Sequence, residues 1–425
     1  MPIPRPLLLP APPEPFPGWT NVKEVPGELG GTLLVLFRSV LLWAETPAAE
    51  RGTLFSGRSA GELGAPRGHA PLPRELADAI RELCAVRAEP GRVRAAVVSR
   101  ACDAVSAWAE REAHPGTALA WARAAASAYP PNVAAAYRVG IMARRRADYS
   151  TAEAWLQHAG SMARRNGNWY GFVLALNSLG NLHVQHGEFD QARAHLAKAL
   201  TAARRPRGRV EGGRKRLRVR EGYVLHDLMM VSVYVQDLTG AERYAAEAFE
   251  RMRAGSRRLP FLAHDVAFLW MERGRFGRAL QVFEAVLPYF RGPEARARVL
   301  TNLLRAAGAT GRVDTFERHS GEARSMLEAM PAAETPAAFW TCLARGEASL
   351  GHWAAAERAA TRAGEVAELR QEADQRAAIE PLLESIRLHR YADAPAAPAS
   401  PLEERACRSL TAGLVESLSA MRAGD

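Results

Sequence analysis

The sequence predicts an all-α fold: an α-solenoid of stacked antiparallel helix pairs, with extra helices before the array and capping helices after it. Two observations carry that expectation. Residues 98–369 repeat a pattern of apolar and small residues at intervals of 34 to 49 residues, and within each interval the spacing is that of two short helices rather than of strands. The composition agrees, since 425 residues at 48% hydrophobic and 24% charged can bury a large core.

The repeat is anchored on Ala118, Ala152, Ala192, Ala241, Ala279, Phe316 and Ala356, each opening the second helix of a unit. Three further columns fall into register without having been used for the alignment. Thirteen residues upstream stand the aliphatics Val105, Val139, Leu179, Leu228, Val266, Leu303 and Leu343. Three upstream stand Pro115, Tyr149, Phe189, Leu238, Phe276, Val313 and Trp353, often two residues after a glycine (Gly187, Gly274, Gly311, Gly351). Seven downstream stand Ala125, Ala159, Ala199, Ala248, Val286, Ala323 and Ala363. Small residues let paired helices approach, the aliphatic fills the seam, and the large residue plugs the turn. Such a unit buries its apolar face only by stacking on a neighbour.

The elements on either side follow from simpler signals. Nine prolines fall in residues 1–28, which are expected to form an extended leader. Residues 29–97 form an N-terminal helical region, with helices over 29–45 and 74–87 joined by a Gly/Pro-rich loop at 46–73. After the array, residues 370–425 supply capping helices over 374–390 and 402–421, joined by a Pro/Ala linker at 392–400. The longest apolar run, residues 33–43, is interrupted by Arg38 and is too short for a bilayer, and the leader has no signal-peptide core. A cytoplasmic location is expected by default. The four cysteines (Cys84, Cys102, Cys342, Cys407) have no ligand-pair spacing, which argues against a disulfide scaffold or a zinc site.

The array resembles the tetratricopeptide repeat (TPR) family. Leu179 and Gly180 with Gly187, Phe189, Ala192, Leu196 and Ala199 match its pattern, as do Val139 and Gly140 with Tyr149, Ala152, Leu156 and Ala159. The resemblance covers about two-thirds of the chain. It departs from the family at Phe316 and Ser320, and most intervals exceed the family's usual 34 residues. It implies a non-enzymatic scaffold that takes a peptide or protein partner in a concave groove lined by the first helices. In this chain that face carries Tyr137, Arg138, Asn177, Asn181, Tyr223, His226, Asp227, His264, Asp265, Asn302 and Arg305. Their amides and guanidinium groups suit an extended peptide, with a polar concavity that binds nothing as the bland alternative. The family's lysine-and-arginine clamp for a terminal carboxylate is incomplete, because Asn177 stands where a lysine is wanted.

Other candidate motifs fare less well. Gly57, Ser59 and Gly61 fit GxSxG, but no strand precedes them, so a flexible loop is the better reading. His183 and His186, with His195, lack the glutamate of a metalloprotease helix, and a core histidine is favoured. No metal and no cofactor is expected. The doublets His226-Asp227 and His264-Asp265 recur at one place in adjacent units, either as decoration or as binding groups. Residues 204–220 carry nine basic groups against Glu211, a formal +8 within a chain of net +10, and account for the longest interval as an insert. A solvated loop is the favoured reading; the alternative is a regulatory protein whose Arg214, Lys215, Arg216 and Arg218 contact nucleic-acid phosphates. No aromatics interleave to stack bases. An enzyme hidden in residues 1–95 is the third and weakest reading.

Overall fold

A computed structural model of the protein describes residues 17–55, 72–207, 213–253, 256–393 and 400–424. Among them helices alternate with short turns and no strand occurs. Two compact units are formed, one by the described residues of 8–183 and 194–213, the other by those of 184–193 and 214–425. They are called the N-terminal and C-terminal units below.

In the N-terminal unit, α1 (Trp19–Glu24), α2 (Gly27–Glu45) and α3 (Arg74–Ala88) precede the first pairs, α4 (Ala95–Arg111) with α5 (Pro115–Ala128) and α6 (Val133–Arg145) with α7 (Tyr149–Arg165). Two expectations need correcting here. Residues 17–28, assigned to the extended leader, include α1 and the start of α2, because Asn21 and Glu24 find partners on α5 that a proline count does not reveal. Helix α2 is also longer than the uninterrupted apolar run, and by length and composition it is sufficient to cross a bilayer. Half of that stretch is nonetheless buried inside the unit, with Leu33, Leu36, Val40 and Trp43 fully covered.

Next in the chain come α8 (Trp169–His186) and α9 (Phe189–Arg204), then, in the C-terminal unit, α10 (Gly213–Tyr234) with α11 (Leu238–Met252), α12 (Leu259–Glu272) with α13 (Phe276–Val286), α14 (Pro293–Ala309) with α15 (Val313–Ala329) and α16 (Ala337–Ser349) with α17 (Trp353–Leu369). Helix α18 (Ala373–Arg387) follows, and α19 (Pro401–Gly424) packs on α13. The second half of the basic insert is therefore not a loop. Residues 213–220 are the opening turns of α10, where buried Leu217 ties the helix to its neighbours. Residues 208–212, the GxSxG stretch at 57–61 and most of the Pro/Ala linker lie outside the described residues.

The columns have a direct structural meaning. All seven aliphatics of the seam and all seven anchoring residues are 3% exposed or less, as are the seven positions downstream. The large residue three before each anchor is the first residue of the second helix in every pair, from Pro115 to Trp353. Two residues before it the chain is left-handed: Gly187, Gly274, Gly311 and Gly351 have φ between 66° and 77°, a conformation open to glycine without strain. Ala113, Ala147 and Gln236 hold the same place at φ 58° to 61°. Helices α14 and α16 touch through backbone, since a Cβ on Gly308 would lie 2.3 Å from the Gly346 carbonyl oxygen.

Candidate functional site

Register decides which side chains meet. Because each first helix stacks on the next, residues in the same repeat column become neighbours although about 40 residues separate them in sequence. In the C-terminal unit the columns 15 and 14 residues before the anchor bring together His226 on α10, His264 and Asp265 on α12, Asn302 on α14 and Cys342 on α16.

These side chains form one hydrogen-bonded row. His226 Nε2 and His264 Nδ1 each lie 2.8 Å from a different carboxylate oxygen of Asp265. Asn302 Nδ2 lies 3.3 Å from His264 Nε2, and the Cys342 thiol 3.4 Å from Asn302 Oδ1. A carboxylate only accepts, so both imidazoles donate to it. The remaining nitrogen of His264 then accepts from the Asn302 amide, whose oxygen accepts from the thiol. Every donor in the row thus points toward Asp265. Burial alone would raise its carboxyl, but the hydrogen bonds from His226 and His264 hold it well below the usual carboxylate range. Burial pushes the Cys342 thiol up, in keeping with a protonated donor.

The row is mostly covered. His226 and His264 side chains are 6% and 8% exposed, whereas Asp265 is 26% exposed and so reaches the surface. His226 Nδ1 is buried without a partner. One turn before Asp265 on α12, Phe261 is 51% exposed, its ring edge-on to Phe290 at 5.2 Å. An ionised acceptor beside an exposed aromatic can receive a backbone N–H or a cationic group while the aromatic covers apolar surface.

Arg305, one turn beyond Asn302, is already paired. Its Nη2 donates to Asp393 at 3.1 Å and its Nη1 to Glu272 at 3.5 Å, and its guanidinium lies 5.6 Å from the Phe276 ring. Burial would lower its pKa, but Cys342, Asp393, Glu272 and Tyr391 together raise it above the usual arginine range. Tyr223 lies between the guanidinium groups of Arg220 and Arg258, at 4.9 and 4.8 Å. Asp227 is half-buried.

In the N-terminal unit the expected groove residues form separate local contacts. Tyr137 Oη meets Ser178 Oγ at 3.0 Å, and Arg138 donates to Asp103 at 3.0 Å with Glu110 3.7 Å away. Burial raises the Asp103 carboxyl more than Arg138 lowers it. Asn177 is buried and Asn181 half-buried. His183 packs in the core, its ring stacked on His195 at 5.1 Å. Arg214, Lys215, Arg216 and Arg218 are exposed on the first turns of α10.

Sequence reasoning missed Cys342, Phe261, Glu272 and Asp393. Cys342 had a usable signal, because it stands in the same column as Asp265 and Asn302. Asp393 had none, since it reaches Arg305 from 88 residues away.

No family model and no curated protein matches the chain. Solved structures that it resembles include Pseudomonas aeruginosa pilF (16% identity, 55% of this chain and 93% of that one, TM-score 0.43). A tetratricopeptide repeat protein from Parabacteroides merdae matches at 14% identity over 68% of this chain and 98% of that one, with TM-score 0.43. The Cut9–Hcn1 hetero-tetramer of APC/C matches at 12% identity over 86% of this chain and 57% of that one, with TM-score 0.49. The likeness is one of fold: the chain is similar to tetratricopeptide repeat proteins of known structure.

Proposed function

We propose that the protein is a non-enzymatic adaptor that takes a peptide or protein partner on the first-helix face of its C-terminal unit. The observation that supports this reading is Asp265, an ionised acceptor fed by histidine donors from two helices and left a quarter exposed beside the half-exposed Phe261. Asp265 stays open because burying a carboxylate with unfilled acceptor capacity costs stability unless a donor meets it. The partner group suited to it is an N–H donor, either extended peptide backbone or a cationic side chain.

The test is partner capture from the source organism with the double variant Asp265→Asn, Phe261→Ser. Loss of one charge-assisted hydrogen bond and of the aromatic contact should weaken capture by about 2 to 3 kcal/mol, some 30- to 150-fold. Arg243→Glu, at an exposed position on α11, should leave capture unchanged. Undiminished capture by the double variant, or loss with Arg243→Glu alone, moves the site off this face.

A further inference from the structure

The end of the helix array breaks its own rule. In the pairs described above a left-handed residue is followed two positions later by a second helix, but after α18 the left-handed residue is His389 (φ 54°) and no second helix follows it among residues 390–393. Residues 388–393 instead form a strap. Its outward side is exposed, with Leu388 at 54% and Arg390 and Ala392 open to solvent. Two side chains hold it down. The His389 ring stacks on Trp353 at 4.8 Å and 10°, and Asp393 enters the C-terminal unit with 7% of its side chain exposed.

Asp393 is received as a ligand would be. One carboxylate oxygen accepts from Arg305 Nη2 at 3.1 Å and Nε at 3.4 Å, and the other accepts from Ser349 Oγ at 3.2 Å. Arg305 is 10% exposed, and its remaining carboxylate, Glu272, is more distant at 3.5 Å. If the strap lifts, the buried Arg305 guanidinium keeps only the more distant Glu272, and the Ser349 hydroxyl keeps only the Arg345 carbonyl at 2.9 Å. That arrangement is a carboxylate site, lying one helical turn from the Asn302 end of the polar row.

We propose that Asp393 is a built-in occupant of this site, and that an acidic side chain of a bound peptide displaces it and lifts the strap. The proposal rests on the reading that the first-helix face of the C-terminal unit is the partner surface. Exchange of one carboxylate for another keeps Arg305 paired throughout, so opening requires only the loss of the strap's few contacts. A neutral peptide gains no such compensation, and the site therefore selects acidic sequence. While Asp393 occupies the site, affinity is reduced by the small fraction of molecules in which the strap is open.

The experiment uses the full chain, hexaglutamate as probe with hexaglutamine and inorganic phosphate as controls, and 5-fluorotryptophan to report on Trp353 by fluorine NMR. In the wild type, hexaglutamate should shift the Trp353 resonance and speed amide exchange at residues 390–393, whereas hexaglutamine should do neither. Asp393→Asn should bind hexaglutamate at least about tenfold more tightly than wild type, as expected when the closed fraction no longer competes. Adding Arg305→Gln should abolish the gain. Equal affinity of Asp393→Asn and wild type, equal binding of hexaglutamine, or phosphate binding as tight as hexaglutamate would overturn the proposal. If Asp393→Asn fails to fold, a wild-type Trp353 resonance unmoved at saturating hexaglutamate overturns it equally. Asp265-dependent partner capture that survives these failures would leave the broader function standing and remove only the displaced carboxylate.

Discussion

Two buried polar networks, one in each unit, are built to opposite ends. In the N-terminal unit, Asn21 is fully covered; its carbonyl oxygen accepts from the Trp121 indole at 2.7 Å and its amide donates to Gly18 at 3.0 Å. Glu24 accepts from the backbone N–H groups of Gly116 and Thr117 at 2.8 and 2.7 Å, and so caps α5 from another helix. This network pins α1 onto α5. In the C-terminal unit the row from Cys342 to Asp265 has the opposite form, because its donors run toward a carboxylate that surfaces and His226 Nδ1 is left unpaired. Satisfied polar groups specify packing, whereas the open-ended row leaves a charged acceptor at the surface.

The comparison is broken most severely at Asn21. In Asn21→Leu the Trp121 indole N–H loses its acceptor inside a fully covered site, and an unsatisfied buried donor costs about 1–3 kcal/mol on top of the lost bond. Denaturant unfolding should register a loss near the top of that range, with α1 the first segment to exchange its amides. A loss below about 0.5 kcal/mol, the scale of an ordinary surface substitution, would show that the network is incidental.

Asp265 sharpens the comparison through pH. Because its carboxyl is held below the usual range, its contribution is fully present above the ordinary carboxylate pKa near 4 and is lost as pH falls further. Asp265→Asn should therefore be less stable than wild type at pH 7 by about 1–2 kcal/mol. The two unfolding curves should approach one another as pH falls below about 4 and the wild type gives up the advantage. Parallel curves below that pH would mean that the carboxylate is not held by the two histidines.

Much of this was legible in the sequence, and the rest was hidden for definite reasons. The seam and anchor columns depend on local helix geometry, so Val105 to Leu343 and Ala118 to Ala356 emerged buried as the spacing predicts. The glycine turns were legible too, but Ala113, Ala147 and Gln236 adopt the same left-handed turn without announcing it. Helix α1 was obscured because proline count outweighed one asparagine and one glutamate whose partners lie about 100 residues away. The columns put the expected site residues on the first helices, yet column position does not say that Asn302 and Arg305 would be taken up by neighbours in the fold. That depends on the stacking register and, for Asp393, on a strap that no periodicity describes.

The smallest effect is expected at the exposed basic turns of α10. Arg214, Lys215, Arg216 and Arg218 sit at the positive end of the helix dipole, with no acidic residue in the first turn to offset them. That position is unfavourable for cations by a few tenths of a kcal/mol each, and the effect is screened by salt. Replacing Arg214, Lys215 and Arg218 by glutamine should raise stability at low salt by up to about 1 kcal/mol, with the gain shrinking as salt is added. If these residues are a solvated end and nothing more, wild type and variant should bind duplex DNA equally poorly at physiological salt. If they contact phosphates, wild-type affinity should fall steeply with salt, by close to one unit of log–log slope for each phosphate contact, and the variant should lose that slope. Measuring both proteins over a salt series separates the outcomes, and a slope that vanishes in the variant would assign the destabilising cations to nucleic-acid binding. A flat pair of curves is the result expected here.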